Sequence, residues 1–465
     1  MDSNLTEALA DQRILRYLWV DNANVVRAKG VYLPTVRRGL AADVAAAPAA
    51  AATPEVVDPS TGDSTLRDRL NRAVTISQAQ FALPVVADAV VAEAGLLPTH
   101  DVWLVPDWES LRALPYAPGH AAVACDAYDG EQPWDHCPRG FLRRMVARAE
   151  AAGLHMRVGV EFEFVLLDGT AAEAGRAVPA DATVFAQDSA LDRHQGLLDG
   201  ITAALAAQGV EVAQVHAESA PGQLEVSLGH VAPLAAADAI VMARQTIHAV
   251  ARAHGLVATF LPIVDPAAGG SGMHVHLSIT GEPEDGLGVN GASFMAGILE
   301  HLTGLLAVTA PTPMSFARFR PHFWVGAFLG WGVGNKEVPL RVVPGRSGAP
   351  RDVEFKAIDA TANPYLALGC LLAAGVAGVE HGTVLPTAVE GDPGLLSAGE
   401  RAARGIAPMP TDAQEVLDAL AADSVLSGAM GQVMMAAYVA VKRAESAELE
   451  AMDPSDRVAL LLERY

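Results

Sequence analysis

An α+β fold in two domains is what this sequence predicts. Three observations carry that expectation: the chain length, a set of strands whose polar and apolar residues alternate, and helix signals between those strands. The chain has 465 residues, enough for a large core and for more than one domain. Hydrophobic residues make up 51% and charged residues 18%, which excludes an intrinsically disordered chain.

The elements follow in order. "EALADQRILRYLWVDNANVVRAKGVYLP" predicts a short helix and then two strands. Residues 41–63, rich in Ala and Pro, predict a loop or partly ordered insertion. "DVWLVPDWESL" (101–111) reads as a strand and a turn, and the turn-rich "LPYAPGHA" suggests a domain boundary near residue 115. The expected domains are therefore 1–115 and 116–465. "PRGFLRRMVARAEAAGL" (138–154) predicts a helix with Pro138 near its start and Gly153 near its end. Strands and helices then alternate, with no internal repeat. The most apolar run, "YLALGCLLAAGVAGV" (365–379), is too short for a membrane span of roughly 20 residues and reads as a buried helix.

Charge and cysteine content narrow the function classes. A formal net charge of -22 argues against nucleic-acid partners and anionic membranes. Three cysteines, Cys125, Cys137 and Cys370, form no CxxC pattern and suggest neither a disulfide framework nor a zinc site. The N-terminus lacks the apolar core of a signal peptide, so a cytoplasmic location is expected.

The strand pattern carries the chemistry. Side chains alternate faces along a strand, so "GVEFEFVLL" (159–167) holds Glu161 and Glu163 on one face and Phe162 and Phe164 on the other. In "GQLEVSLG" the polar face carries Gln223, Glu225 and Ser227, and Glu218 lies just before it. In "GMHVHLSI" it carries His274, His276 and Ser278. In "RDVEFKAI" it carries Asp352, Glu354 and Lys356, and in "KEVPLRVV" it carries Lys336 and, after an irregularity at Pro339, Arg341. A half-exposed strand with a polar face toward water is the ordinary reading of any one of these. Taken together, the faces collect carboxylates and imidazole rather than a solvent mixture. Carboxylates that converge need neutralising cations, and an oxygen-rich set with imidazole suits Mg²⁺ or Mn²⁺. Basic residues beside such metals point to phosphoryl transfer. No GxxxxGK[ST] loop is present, so ATP would bind through metals.

From about residue 12 onward the motifs resemble the glutamine synthetase superfamily. They are "VDNANVVRAKG", "DVWLVPDW", "PRGFLRR", "GVEFEF", "HAESAPGQLEVSLG", "GGSGMHVHLS", "APTPMSFARFRP", "WGVGNKEVPLRV" and "VEFKAIDATANPYLALGCLLAAG", in the family's order. The resemblance implies a small N-terminal β-grasp domain and a larger catalytic α/β domain with a curved antiparallel sheet. It implies ATP and Mg²⁺ or Mn²⁺, two to three ions per site, and a homo-oligomeric, dodecamer-like ring with active sites between subunits. By motif, Glu163, Glu218 and Glu225 correspond to the ligands of one metal, and Glu161, His274 and Glu354 to those of the second. Arg318, Gly270, His276 and Lys356 fall at glutamate-binding positions, and Ser278, Lys336 and Arg341 at positions for ATP and phosphoryl transfer.

Departures from the family pattern point to a particular branch. Gly269 replaces an asparagine that helps bind glutamate, Lys336 and Lys356 replace arginines, and Asp352 replaces another. Lysine lacks the bidentate fork of arginine. The ammonium-binding "DGSS" segment is missing, and Trp324 stands where the family carries a flap glutamate. An indole suits an organic amine better than a hydrated ammonium ion. The resemblance is therefore to the γ-glutamylamide branch, which includes γ-glutamylpolyamine, γ-glutamylethanolamide, γ-glutamylisopropylamide and γ-glutamylanilide synthetases. It implies an ATP-dependent ligase that uses a γ-glutamyl phosphate and an amine pocket at Trp324, with Glu218 as a candidate base. The alternatives are the same chemistry on a different acid, and a weakly active structural or regulatory protein. The region after "NPYLAL" lacks the family's tyrosine loop, so control by adenylylation is not expected.

Overall fold

The computed structural model describes residues 2–38, 71, 74–280, 288–346, 348 and 350–465. The Ala- and Pro-rich segment 41–63 lies outside the described residues. A short helix, Asp2–Leu9, leads into the first of the two sheets that the described residues form. That sheet contains β1 (Ile14–Val20), β2 (Val26–Tyr32), β3 (Thr75–Ser77), β4 (Asp101–Pro106), β5 (Arg112–Ala113), β6 (His120–Asp129) and β7 (Gln132–Pro133). Its main path is β2-β1-β6-β4-β3, and β1 and β6 pair in parallel within otherwise antiparallel surroundings. This is the mixed arrangement expected of a β-grasp.

The stretch "LPYAPGHA" is a turn within this sheet. It joins β5 to the antiparallel β6, and the Leu114 N–H donates to the His120 carbonyl at 2.9 Å. Because β6 also pairs with β1 and β4, we propose that the domain division follows β7 rather than residue 115.

The second sheet contains β8 (His155–Asp168), β9 (Val212–Ala217), β10 (Gln223–Val231), β11 (Leu256–Thr259), β12 (Met273–Thr280), β13 (Trp331–Val333), β14 (Leu340–Pro344) and β15 (Pro350–Phe355). Its order is β13-β14-β15-β12-β8-β10-β9, with β11 on the far end of β8. Every pair is antiparallel except β13 with β14. The sheet is curved, with one apolar and one polar face. On the apolar face, Phe162 and Phe164 are fully buried against Phe260, with ring centroids 4.5 and 5.6 Å away. Helices Pro138–Ala151, Gln195–Ala207, Pro233–Ala253 and Pro364–His381 share that core.

Helix Pro138–Ala151 has Pro138 at its start, as predicted from sequence, and Gly153 just past its end adopts φ 77°. Helix Pro364–His381 has the length and apolarity to cross a membrane, extending beyond the run 365–379, yet 83% of it is buried within the protein. The three cysteines are buried and unpaired.

A charged joint ties the first sheet to the helices that pack on the second. Arg139, from "PRGFLRR", donates to Asp238 at 2.8 Å, Asp126 at 3.0 Å and Asp107 at 2.7 Å. Asp126 lies on β6 and Asp107 directly follows β4, whereas Asp238 sits on helix Pro233–Ala253. The Tyr365 hydroxyl donates to Asp238 at 2.7 Å and closes the network.

Candidate active site

Strand register gathers the polar side chains. β8 lies between β10 and β12, so Glu163 faces Glu225, and Glu161 faces His274. β15 lies beyond β12 and sets His276 opposite Glu354, and β14 sets Arg341 opposite Glu354. β9 sets His216 opposite Glu225. Like charges directly opposite each other destabilise a sheet. Glu163 and Glu225 do this while only 6% and 4% exposed, which is why the pair signals function rather than packing.

Among the described residues, three groups gather potential ligand atoms within 4.8 Å of one another: Glu161, His274 and Glu354; His216, Glu218 and Glu225; and His230, His276 and Asp352. The first is the set implied for the second metal. His274 Nδ1 lies 3.2 Å from Glu161 and 3.4 Å from Glu354. His274 Nε2 is buried without a hydrogen-bond partner and lies 3.6 Å from Glu163, outside good geometry. Two carboxylates clustered on one imidazole nitrogen fit a hard divalent cation.

Glu163 does not gather within that distance of Glu218 and Glu225. Its Oε2 is held on the other side, accepting from Gln223 Nε2 at 3.1 Å and from the Gly272 N–H at 2.9 Å. His216 completes the group instead, 3.6 Å from Glu218 and 3.3 Å from Glu225.

The site's electrostatics follow from this crowding. Burial and the charges of Glu163 and Glu225 push the Glu218 carboxyl up to about 8. The hydrogen bond to Glu225 holds His216 up, at about 9. Burial opposes a charge on His276, but its bonds to Asp352 and Glu161 outweigh it and hold the ring at about 10. Burial would raise the Glu161 carboxyl as well, but hydrogen bonds from His274 and His276 hold it well below the usual range.

The basic residues divide into two kinds. Arg318 is 1% exposed and donates from NH1 to the Ile358 carbonyl at 3.0 Å, while its Nε and NH2 are buried without partners. Two unpaired guanidinium donors suit a carboxylate. Gly270 and Gly272 let Arg318 approach, since a Cβ on Gly272 would sit 2.7 Å from both Arg318 and His274 Nε2. A Cβ on Gly270 would lie 2.6 Å from Arg318 Cγ. Arg341 and Lys356 instead grip Glu354, at 2.7 and 2.9 Å.

The stretch expected as one strand over 336–343 begins only at Leu340. Pro339 has no N–H to give, though its carbonyl accepts from the Lys356 N–H at 2.8 Å. Lys336 therefore lies in the preceding loop, its Nζ 4.5 Å from the Trp324 ring centroid. Ser278 lies on β12 opposite Arg157.

Sequence reasoning missed His216, Phe185 and Glu337. His216 had a signal: "VAQVHA" alternates, and its histidine sits two residues before Glu218. Phe185 and Glu337 lie outside the strands and carry no periodic mark.

The chain belongs to the glutamine synthetase family, whose catalytic-domain model matches residues 135–457. It is 39% identical over 389 residues to the γ-glutamylpolyamine synthetase GlnA3 of Streptomyces coelicolor, a match covering 79% of this chain and 82% of that protein. It is 36% identical over 361 residues to a glutamine synthetase of Methanocaldococcus jannaschii, covering 74% and 79% of the two chains. Among solved structures, an ADP complex of GmaS superposes with a TM-score of 0.78 at 25% identity, covering 100% of this chain and 99% of that one. The fold and the ligase class follow from these relationships.

Proposed function

We propose that this protein joins the γ-carboxylate of glutamate to an organic amine at the expense of ATP, through a γ-glutamyl phosphate. One observation carries the choice of an organic amine over ammonia. An unbroken line of side chains runs from Trp324 to Phe185 at 5.6 Å, to His216 at 6.1 Å and to Glu218 at 3.6 Å. Aromatic surface thus lies beside the His216–Glu218–Glu225 group, which supports the reading. The similarity to a γ-glutamylpolyamine synthetase supports amine ligation in general.

In this reading, Glu161, His274 and Glu354 hold one divalent ion, and Glu163, Glu218 and Glu225, with His216 beside them, hold another. Bound Mg²⁺ or Mn²⁺ would supply charge neutralisation and Lewis-acid polarisation of phosphate oxygens. Arg318, with Gly270 and His276, receives the acid. Ser278, Lys336 and Arg341 orient ATP and steady the transferred phosphoryl group. The terminal phosphoryl of ATP passes to a γ-carboxylate oxygen and ADP departs. The amine lone pair then attacks the acyl carbon, and phosphate leaves with the electrons of its C–O bond. The amine proton passes to a nearby carboxylate, which we assign to Glu218. Water must be excluded from the acyl phosphate. A homo-oligomeric ring with sites between subunits is part of the same proposal.

The test is phosphate release with ATP, Mg²⁺ and glutamate, across ammonia, ethanolamine, isopropylamine, putrescine, spermine and aniline, with the amide detected by mass. Turnover with an organic amine well above that with ammonia is expected; best turnover with ammonia would refute the amine assignment. A second reading, with another acid replacing glutamate, is favoured by Lys356, which is engaged with Glu354 at 2.9 Å rather than free for a substrate. Turnover with a different acid and none with glutamate would establish it.

Metal should also stabilise the fold. At a concentration of 100 times its Kd, an ion that binds only the folded chain adds about 2.7 kcal/mol. Mg²⁺ or Mn²⁺ is therefore expected to raise the thermal midpoint, and EDTA to reverse the rise. An unchanged midpoint with both ions would count against the proposed ligand sets.

A further inference from the structure

Two segments outside the second sheet meet beside the His216–Glu218–Glu225 group. One carries Phe185 and Ala186, the other His322, Phe323 and Trp324. Among the described residues, four non-glycine residues have positive φ: Asn24, Ala186 at 55°, His322 at 69° and Trp324 at 58°. Three of the four lie in these two segments. A left-handed backbone at a bulky residue is strained, and it persists only where the surroundings enforce it.

Here the enforcing contacts are visible. The Glu337 carboxylate accepts from the His322 N–H at 3.1 Å and from the Trp324 N–H at 3.2 Å, and it is largely buried. The Ala186 N–H donates to the Ala217 carbonyl at 3.0 Å, one residue before Glu218. The outcome is an edge-to-face pair, Phe185 and Trp324, left 45% and 47% exposed. Large exposed aromatics held in place by strained backbone are poor packing and good binding surface. Lys336, itself exposed, adds a positive charge, its ammonium 4.5 Å from the centroid of the Trp324 ring.

We propose that Phe185, Trp324 and Lys336 select the amine, favouring monoamines with an apolar or aryl arm over diamines and polyamines. The inference rests on the ligase reading above. An amine whose nitrogen reaches Glu218 must lay the rest of its length along His216, Phe185 and Trp324. Those rings offer apolar area to a hydrocarbon arm. A distal ammonium would seek an indole face, the strongest cation–π partner among side chains. The Lys336 ammonium already lies against that ring, so a second cation is repelled as well as deprived of its partner. Selectivity here combines an attractive wall for one class with a repulsive charge against the other. Glu337 is a positioning residue, acting through the backbone of His322 and Trp324.

The test uses the full chain with ATP, Mg²⁺ and saturating acid. Values of kcat/KM are compared for isopropylamine, benzylamine, putrescine and spermine. The wild type is expected to prefer the better monoamine over putrescine by about tenfold or more. Phe185→Ala is expected to raise KM for benzylamine about tenfold with a smaller change in kcat. A thermal melt verifies the fold, and Phe185→Leu serves if the alanine variant fails to fold. Lys336→Gln lowers every rate, so the readout is a ratio within one enzyme: putrescine is expected to gain on benzylamine. Putrescine or spermine as the best wild-type substrate, or ratios unmoved by Phe185 and Lys336 variants, would overturn the inference and leave the ligase reading standing. No turnover with any amine would overturn the ligase reading, and this inference with it.

Discussion

Glu354→Gln is expected to lower the rate of amide formation by about 10³-fold or more, the equivalent of several kcal/mol of transition-state stabilisation. Glutamine keeps the volume and removes one negative charge. That charge serves three neighbours: Arg341 at 2.7 Å on one oxygen, Lys356 at 2.9 Å on the other, and His274 at 3.4 Å. Whichever way the new amide is turned, its NH₂ faces one of two cations, so a favourable contact becomes a repulsive one. The proposed ion loses a ligand at the same stroke. Arg341, whose Nε is already buried without a partner, would lose its anchor and drift from the phosphoryl position proposed for it. Phosphate release and a Mn²⁺ titration read the two effects separately. Glu354→Asp, which keeps the charge on a shorter stem, is expected to lose less activity. Wild-type turnover in Glu354→Gln with unchanged Mn²⁺ binding would refute the role assigned to this residue.

Arg139→Met should be the most damaging change for stability. The guanidinium is 4% exposed and answers three carboxylates on three separate elements. Removing one partner of a buried charge network strands the others, at a cost of about 3–5 kcal/mol. Arg143 remains within 3.0 Å of Asp107 and 2.8 Å of Asp126, but it is half exposed and does not contact Asp238 in this network. Asp238 would keep only the Tyr365 hydroxyl among these partners. A lower thermal midpoint and faster proteolysis between the two sheets are expected. Arg139→Lys should recover only part of the loss, because one ammonium cannot fork toward Asp238 and still reach Asp107 and Asp126. A melt unchanged in Arg139→Met would mean that the joint carries little of the stability.

Much of this was legible in the sequence because strands write their geometry in a period of two. "GVEFEF" shows at sight that two phenyl rings go into the core and two carboxylates face away, and the structure places them so. "MHVHLS" and "DVEF" are read in the same way, since neighbours in the sheet are chosen by matching faces. What stayed hidden depended on pairing or on backbone shape. Residues 114–121 read as a linker because turn residues mark a hairpin and a boundary alike; the structure sets them between the antiparallel β5 and β6. Pro339 delays the strand that "KEVPLRVV" suggested, which moves Lys336 onto a loop and beside Trp324. Phe185 is remote from Trp324 in sequence and follows no period. Its place emerges only from the tertiary fold, as does the grip of Glu337 on two backbone amides.

The division of labour between strand and loop bears on how such a protein can change over generations. The carboxylates and His274 that would activate the acid sit on or beside hydrogen-bonded strands, where a one-residue slip inverts every side chain and ruins both faces together. The aromatic residues that would meet the amine sit on two connecting segments, linked to the sheet region by contacts such as Ala186 to Ala217. Substitution at Phe185 or Trp324 leaves the strand ladder intact. A lineage could thus wander among amines by single replacements while its means of activating an acid stayed frozen, and new substrates would be far easier to acquire than new chemistry.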